Sequence, residues 1–207
     1  MKKIGKLDKP DNHGTAEIFK HPILEKLTKT HVGIPIVLFL LLAGFLLYRA
    51  WFYSHLPVGM GILYFLAGYL AFTLTEYLMH RYFYHMNPIQ KWKKNIQYSV
   101  HGIHHDYPKD KKRLAMPPML SVGYAVALYY LFSFLIAEQV NYFLPGFLSG
   151  YASYLGIHYI IHAFPPPKGL FKVLWVNHAI HHYKDPDVAF GVSTPLWDHV
   201  FGTSPKK

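Results

Sequence analysis

At 207 residues the chain is of single-domain length, and it has no cysteine, which excludes disulfides and cysteine-ligated metal or iron–sulfur sites. It is 52% hydrophobic and 17% aromatic, richer than an ordinary soluble protein, which points to a membrane. The net charge of +10 is spread over several segments instead of forming one stripe, which argues against nucleic-acid binding.

Residues 1–32 read as a lysine-rich cytosolic N-terminal segment without the pattern of a cleaved signal peptide. Within it Ile18, Phe19, Ile23, Leu24 and Leu27 recur at helical intervals, with Lys20, Lys26 and Lys29 on other faces. That is the signature of a short helix lying on a membrane surface, interrupted by Pro22. Residues 33–207 read as one membrane domain.

From Ile36 to Tyr53 the only charge is Arg49, and a helix over that run would reach about 27 Å, nearly the thickness of a bilayer core. A second apolar run, opened by Pro57, extends from Val58 to about Thr75. A pair follows at roughly Met119 to Ala137 and Asn141 to His162, with Pro145 either near the start of the last helix or marking a break. The expected class is therefore an all-α integral membrane protein with four transmembrane helices. Seven lysines precede Thr30, eight Lys/Arg lie between Arg81 and Arg113, and five follow Pro167, whereas the short links carry only Arg49. By the positive-inside bias the three basic regions and both termini face the cytoplasm.

Ten of the fifteen histidines fall into four groups: His80/His85, His101/His104/His105, His158/His162 and His178/His181/His182. Two groups are the same string, H-x-x-H-H. A lone histidine on an apolar face is usually a hydrogen-bonded core residue, but four groups at the cytoplasmic ends of helices are not accounted for that way. Imidazole suits iron, copper, nickel and zinc, and three or four rings enclose one such ion, so ten rings suffice for two. Residues three or four apart share a helix face, so each triad and the pair His158/His162 can aim at one point. His80 and His85, five apart, cannot do so on a regular helix, which predicts that the helix ends or distorts near Tyr82 to Tyr84. His13, His21, His31, His55 and His199 lie outside the groups and are assigned no ligand role.

A ligating histidine donates its other N–H to an acceptor, and Glu76, one turn before His80, is the favoured candidate, since an acid near a bilayer boundary is costly unless used. Asp106, Asp110, Asp185, Asp187 and Asp198 also lie near the groups, with turn or pairing roles weighing at least as much. Tyr154, one turn before His158, is a candidate to line a substrate pocket, with a plain interfacial role as its rival. Lys109, Lys111, Lys112 and Arg113 form the densest basic run and could receive an acidic electron carrier or lipid phosphate; a solvated loop competes equally.

The runs from His80 to His85 (HRYFYH), His101 to Pro118 (HGIHHDYPKDKKRLAMPP), Gly150 to His162 (GYASYLGIHYIIH) and Asn177 to Thr203 (NHAIHHYKDPDVAFGVSTPLWDHVFGT) resemble the fatty acid hydroxylase and sterol desaturase superfamily of integral membrane di-iron enzymes. Within it, the continuation from Tyr107 to Pro118 and the FGVSTPLWD ending are similar to fatty acid 2-hydroxylases acting on sphingolipid acyl chains. The resemblance covers roughly residues 60–203 and implies a membrane hydroxylase domain. In it, a cytosolic helical cap over four membrane helices holds two iron ions, with zinc able to replace them in purified protein. All ten grouped histidines would be ligands, dioxygen the cosubstrate and a lipid acyl chain the substrate. Eukaryotic relatives commonly carry a fused cytochrome-type haem domain, for which residues 1–30 are too few, so a separate carrier and reductase are expected. In relatives the tyrosine matching Tyr154 is typically followed by an aspartate, whereas Leu155 stands here.

The chemistry agrees with the resemblance: no histidine base or serine nucleophile cuts an unactivated C–H bond, so a cofactor must carry that step. The competing readings are a sterol oxidase or desaturase, a carotenoid hydroxylase, a metal transporter and a structural histidine cage. A transporter would want polar ligands at mid-membrane depth, and spans one to three have no histidine in their interiors.

Overall fold

A backbone in hydrocarbon must satisfy its own N–H and C=O groups, so long apolar runs fold as helices, and all regular elements of this computed structural model, which describes residues 9–206, are helical. Residues 1–8 of the expected N-terminal segment, with Lys2, Lys3 and Lys6, lie outside the described residues. In chain order the helices are α1 (Pro22–Leu27), α2 (Gly33–Tyr53), α3 (Val58–Leu78), α4 (Lys91–Gln97), α5 (Ile103–Asp106), α6 (Pro118–Ile136), α7 (Val140–Ala163), α8 (Lys172–Tyr183) and α9 (Leu196–Val200). Among the described residues, three stretches are long and apolar enough to cross a membrane: Gly33–Tyr53, Val58–Tyr84 and Pro118–Ala163.

Prolines set the helix starts. Pro22 and Pro118 open α1 and α6, where a missing N–H costs little, and the Pro57 carbonyl accepts the first N–H groups of α3, from Met60 at 2.9 Å and Gly61 at 3.1 Å. Pro145 departs from both expectations, because α7 begins at Val140 and runs through it. Ile18 and Phe19 fall outside α1, whose remaining apolar side chains Ile23, Leu24 and Leu27 are exposed.

The chain divides into two compact units: residues up to 29, 75–114 and from 157 onward make one, and 30–74 with 115–156 make the other. The 46-residue stretch Pro118–Ala163, most of which lies in the second unit, is not one rod. Ala137 adopts φ 46° after Ile136, a 3₁₀ turn spans Ala137–Gln139, and the chain reverses. The Phe132 ring then lies 4.9 Å from that of Phe143 and 5.6 Å from that of Phe147, so α6 and the start of α7 run side by side. Tyr151 stacks between Phe39 at 4.8 Å and Phe72 at 5.1 Å.

Close approach of α3 and α7 depends on glycine. A Cβ on Gly68 would lie 2.0 Å from the Phe143 carbonyl oxygen, and one on Gly146 would lie 1.9 Å from that of Phe65. Both clashes are with backbone, which cannot swing aside, and small residues are what let helices meet this closely in a membrane. Gly146→Leu is therefore expected to force α3 and α7 apart at a cost of roughly 1–3 kcal/mol or more. The test is a lower melting temperature in detergent; an unchanged one would show that the contact carries no stability.

Candidate metal centre

Every grouped histidine belongs to the first unit, which takes up the C-terminal ends of α3 and α7. Beyond Leu78 the α-helical ladder loosens into a π turn, Met79–Tyr84, and the His85 N–H reaches the His80 carbonyl at 3.1 Å. This is an i→i+5 bond, the wider winding of a π-helix, and it resolves the five-residue spacing of His80 and His85 as the distortion expected from the sequence. A second π turn, Tyr98–Gly102, leads into the four-residue α5 and carries His101.

The ten histidines gather as two sets of five. His80, His85, His101, His105 and His181 form the first, and His104, His158, His162, His178 and His182 the second; within each set the five ligand nitrogens lie within 4.8 Å of one another. The expectation that each H-x-x-H-H triad aims at one point is corrected here. Successive residues turn by about 100° on an α-helix, so His104 and His105, or His181 and His182, face different ways, while i and i+4 stay together. The outer pair of each string joins one set and its middle histidine joins the other. Each set thus has one pair from the end of a long apolar stretch (His80/His85 or His158/His162), one outer pair and one middle residue, a pseudo-symmetric exchange. The sets adjoin: the rings of His105 and His182 stack at 4.3 Å.

The donor chemistry fits metal ions. The His101 Nε2 lies 3.0 Å from both His80 Nε2 and His105 Nε2, and the His162 Nε2 lies 3.1 Å from that of His158 and 2.8 Å from that of His178. One imidazole nitrogen holds a single proton or a single lone pair and cannot satisfy two such neighbours. Two nitrogens about 2.1 Å from one ion and at right angles to each other lie about 3.0 Å apart. Both ring nitrogens of His182 are buried and have no hydrogen-bond partner among the described residues, so a lone pair in the second set is unmet.

Burial, reinforced by neighbouring imidazoles, holds His101, His104, His178 and His182 well below the usual imidazole range, and burial brings His181 down to about 4. All are neutral at pH 7, as ligands must be. The sign of the linkage follows. An unfolded chain takes up protons on these rings below about pH 6.5 and the folded one refuses them, so stability is present above that pH and is lost as the pH falls. Metal-stripped protein is expected to melt at lower temperature at pH 5.5 than at pH 7.5; equal melting temperatures would contradict the burial argument.

The first set is held from behind by one loop. The His80 Nδ1–H donates to the Phe190 carbonyl at 2.5 Å and the His181 Nδ1–H to the Val188 carbonyl at 2.8 Å, which leaves the Nε2 lone pairs facing inward. Between those carbonyls Ala189 adopts φ 57°, a left-handed conformation that a side chain disfavours and that the surroundings must enforce. Asp198, fully buried, accepts the N–H groups of Phe190 and Gly191, each at 2.9 Å, and the Thr203 hydroxyl at 2.7 Å. Glu76 accepts the N–H groups of Val192 at 2.7 Å and Ser193 at 3.0 Å, and also the Ser193 hydroxyl. The expectation that Glu76 directly receives a ligand's N–H is thereby corrected: the Phe190 carbonyl receives that of His80, and the acid holds the loop. Asp198 is one of the five acids to which the sequence gives a turn or pairing role at least as readily, and the backbone N–H groups it accepts, of Phe190 and Gly191, are brought to it only by the folded loop.

The basic run divides. Lys109, Lys111 and Lys112 are exposed, with Lys111 Nζ 5.9 Å from the Tyr159 ring centre. Arg113 is corrected as a docking residue: its side chain is 3% exposed, pairs with Glu25, and donates to the Ala16 carbonyl at 2.6 Å and the Thr28 hydroxyl at 3.1 Å. It fastens the N-terminal segment. Tyr154 belongs to the other unit, its ring 6.1 Å from that of Phe72 and 6.0 Å from that of Tyr151. His199, assigned no ligand role, pairs its Nδ1 with the Ser204 hydroxyl at 2.8 Å.

Comparison with known proteins bears on this arrangement. Residues 65–203 match the family model described as fatty acid hydroxylase. A dihydroceramide fatty acyl 2-hydroxylase of Arabidopsis thaliana is 37% identical over 139 residues, covering 67% of this chain and 59% of the relative. A ceramide very long chain fatty acid hydroxylase of Schizosaccharomyces pombe is 33% identical over 200 residues, covering 92% of this chain and 55% of the relative. A fatty acid 2-hydroxylase of Rattus norvegicus is 36% identical over 71% of this chain and 41% of its own length. The chain thus spans between 41% and 59% of these curated relatives. Among solved structures, full-length scs7p, in which only the hydroxylase domain is visible, superposes with a TM-score of 0.84 at 31% identity, over 94% of this chain and 74% of that one. Two histidine sets built from the strings that the match spans, and a fold shared at this level, place the chain in the fatty acid hydroxylase family.

Proposed function

We propose that this chain is an oxygen-dependent di-iron hydroxylase of lipid acyl chains, acting at carbon 2 of a fatty or sphingolipid acyl group. The observation that carries the reading is the pair of adjoining five-histidine sets in a chain whose relatives are named for that reaction. His80, His85, His101, His105 and His181 would hold one ion, and His104, His158, His162, His178 and His182 the other. Bound there, two iron ions supply the dioxygen-derived oxidizing power that an unactivated C–H bond requires. Zinc accepts the same imidazoles and is expected in overproduced protein.

The chain's own residues aim and shield. Neutral, buried imidazoles hold cations without cancelling their charge, and the loop carbonyls of Val188 and Phe190 fix two rings in the ligating tautomer. The helices α2, α3, α6 and α7 would cross the membrane four times, with residues 1–32 and the C-terminus in the cytoplasm and 33–207 as the hydroxylase domain. A lipid with its head at the cytosolic interface then presents carbons near its carboxyl end, which suits carbon 2. Tyr154, in an aromatic group with Phe72 and Tyr151, would contact that chain. Lipids extracted from a host producing the protein should contain acyl chains heavier by one oxygen; chains lighter by two hydrogens would mean desaturation and overturn the reading.

Each hydroxylation consumes two electrons from outside, and these 207 residues hold no cysteine and no glycine-rich dinucleotide fingerprint. A reductase and a small acidic carrier outside these residues would supply them, the carrier steered to Lys109, Lys111 and Lys112. Turnover with a carrier is expected to fall steeply with ionic strength. Lys111→Glu with Lys112→Glu should raise the carrier concentration needed for half-maximal rate about tenfold, metal content being unchanged. Indifference to both salt and charge reversal would remove this docking site.

A further inference from the structure

The geometry points to a membrane-interface portal, formed by Phe164 to Val176, through which an acyl lipid reaches the second histidine set from the side. The inference rests on the membrane reading proposed above and adds to it a route and an asymmetry between the two sets.

The segment begins where the last apolar stretch ends, at Ala163. Pro165, Pro166 and Pro167 forbid continuation of the helix, and Gly169 turns the chain with φ 92°. At the tip Leu170 is 92% exposed and Phe171 73% exposed. Lys168 and Lys172 bracket them, and the sequence has no acidic residue between Glu138 and Asp185. Apolar side chains between unneutralized lysines, a few residues from a membrane helix, match the boundary of an anionic bilayer, where the tip enters hydrocarbon and the lysines meet head groups. An acidic carrier protein would answer the lysines and leave Leu170 and Phe171 uncovered.

The two ends of the segment that carries this tip line a cavity of about 570 Å³, within the range of sites for small organic molecules. Its wall includes Phe164, Trp175 and Val176, its inner end His162, His178 and His182, and Lys109 supplies a cation for a phosphate or carboxylate head. The Trp175 indole N–H donates to the Phe164 carbonyl at 3.0 Å and joins the two ends of the segment. All three histidines at the inner end belong to the second set, and none of the first set lines the cavity. The lipid therefore meets the second set, while the loop at Val188 and Phe190 supports the first.

The chain has no cysteine, so single cysteines can be labelled uniquely in the full-length protein reconstituted in vesicles of phosphatidylcholine and phosphatidylglycerol. A fluorophore at Leu170→Cys should be quenched several-fold more by nitroxide-bearing lipid than one at Asp187→Cys, and should be protected from aqueous iodide. A photoreactive group at Val176→Cys should cross-link acyl lipid, and less of it when excess fatty acid is added. Neither readout needs turnover. Protein that fails to float with vesicles would overturn the membrane reading and the portal with it. Protein that floats but carries a Leu170→Cys label as iodide-accessible as that at Asp187→Cys would overturn the portal alone. A lipid-buried tip with no cross-link from Val176→Cys would overturn the route, and a cross-link to an added acidic carrier in place of lipid would reassign the cavity to electron supply.

Discussion

Replacing His101 and His105 together by alanine is expected to leave one metal ion per chain where the unaltered protein holds two, and replacing His178 and His182 should do the same to the other ion. Either double variant should reduce hydroxylation to the level of metal-free protein, because the two ions act as a unit and such contributions are far from additive. The decisive comparison is between neighbours in sequence. His181 and His182 belong to different sets, so replacing both by alanine should weaken both ions at once, whereas His105 and His181, 76 positions apart in the chain, should weaken only one. Losing a group that merely orients a ligand costs about 10–100-fold in metal affinity, so losing two ligands must cost more. His55→Ala should change neither content nor activity. Elemental analysis decides the matter. One ion lost from the His181/His182 variant, or two from the His101/His105 variant, would show that the sets are wrongly drawn.

That these ten residues gather in the fold is legible in the sequence, because repeated short spacing on helices is the simplest way to bring several imidazoles close together. Their division is not legible. It depends on the turn of α5 and α8, which separates adjacent histidines, and on two π turns: the spacing of His80 and His85 announces a distortion at Met79–Tyr84, but nothing in the sequence announces the one at Tyr98–Gly102. The apolar helices emerge within a few residues of their expected bounds, since hydropathy is a local property. Glu76 and Arg113 show the opposite case. Each is conspicuous as a charge in the sequence, yet the partners that define its work, Ser193 for Glu76 and Glu25 for Arg113, lie 117 and 88 positions away. Charge can be read from a string of residues, but a contact across that distance is made only by the fold.

Asp198→Ala is expected to empty the first histidine set selectively. The carboxylate at 198 accepts the N–H groups of Phe190 and Gly191, and without it two buried donors lose their acceptor, at about 1–3 kcal/mol each. Thr203 is drawn in as well: its hydroxyl donates to Asp198, and its carbonyl accepts the Ala189 N–H at 2.9 Å. That last bond helps hold the left-handed Ala189 between the two carbonyls that orient His181 and His80. Once the clamp opens, only the grip of Glu76 on Val192 and Ser193 is left to keep Val188 and Phe190 facing those rings, and the affinity of the first set should fall by about 10–100-fold. The contacts described between this loop and the grouped histidines go to His80, His85 and His181, all of the first set, so the second set should bind as before. Glu76→Gln should act in the same direction and more weakly, since an amide keeps one acceptor for the Val192 and Ser193 N–H groups and Asp198 still grips the loop. Metal titration of stripped protein should then change from two similar tight steps to one tight and one weak. Asp198→Asn, which retains the shape and one acceptor, should fall between. A uniform loss at both steps would mean that Asp198 supports the whole unit and not one set of ligands, and an unaltered titration would mean that the loop carbonyls are dispensable to His80 and His181.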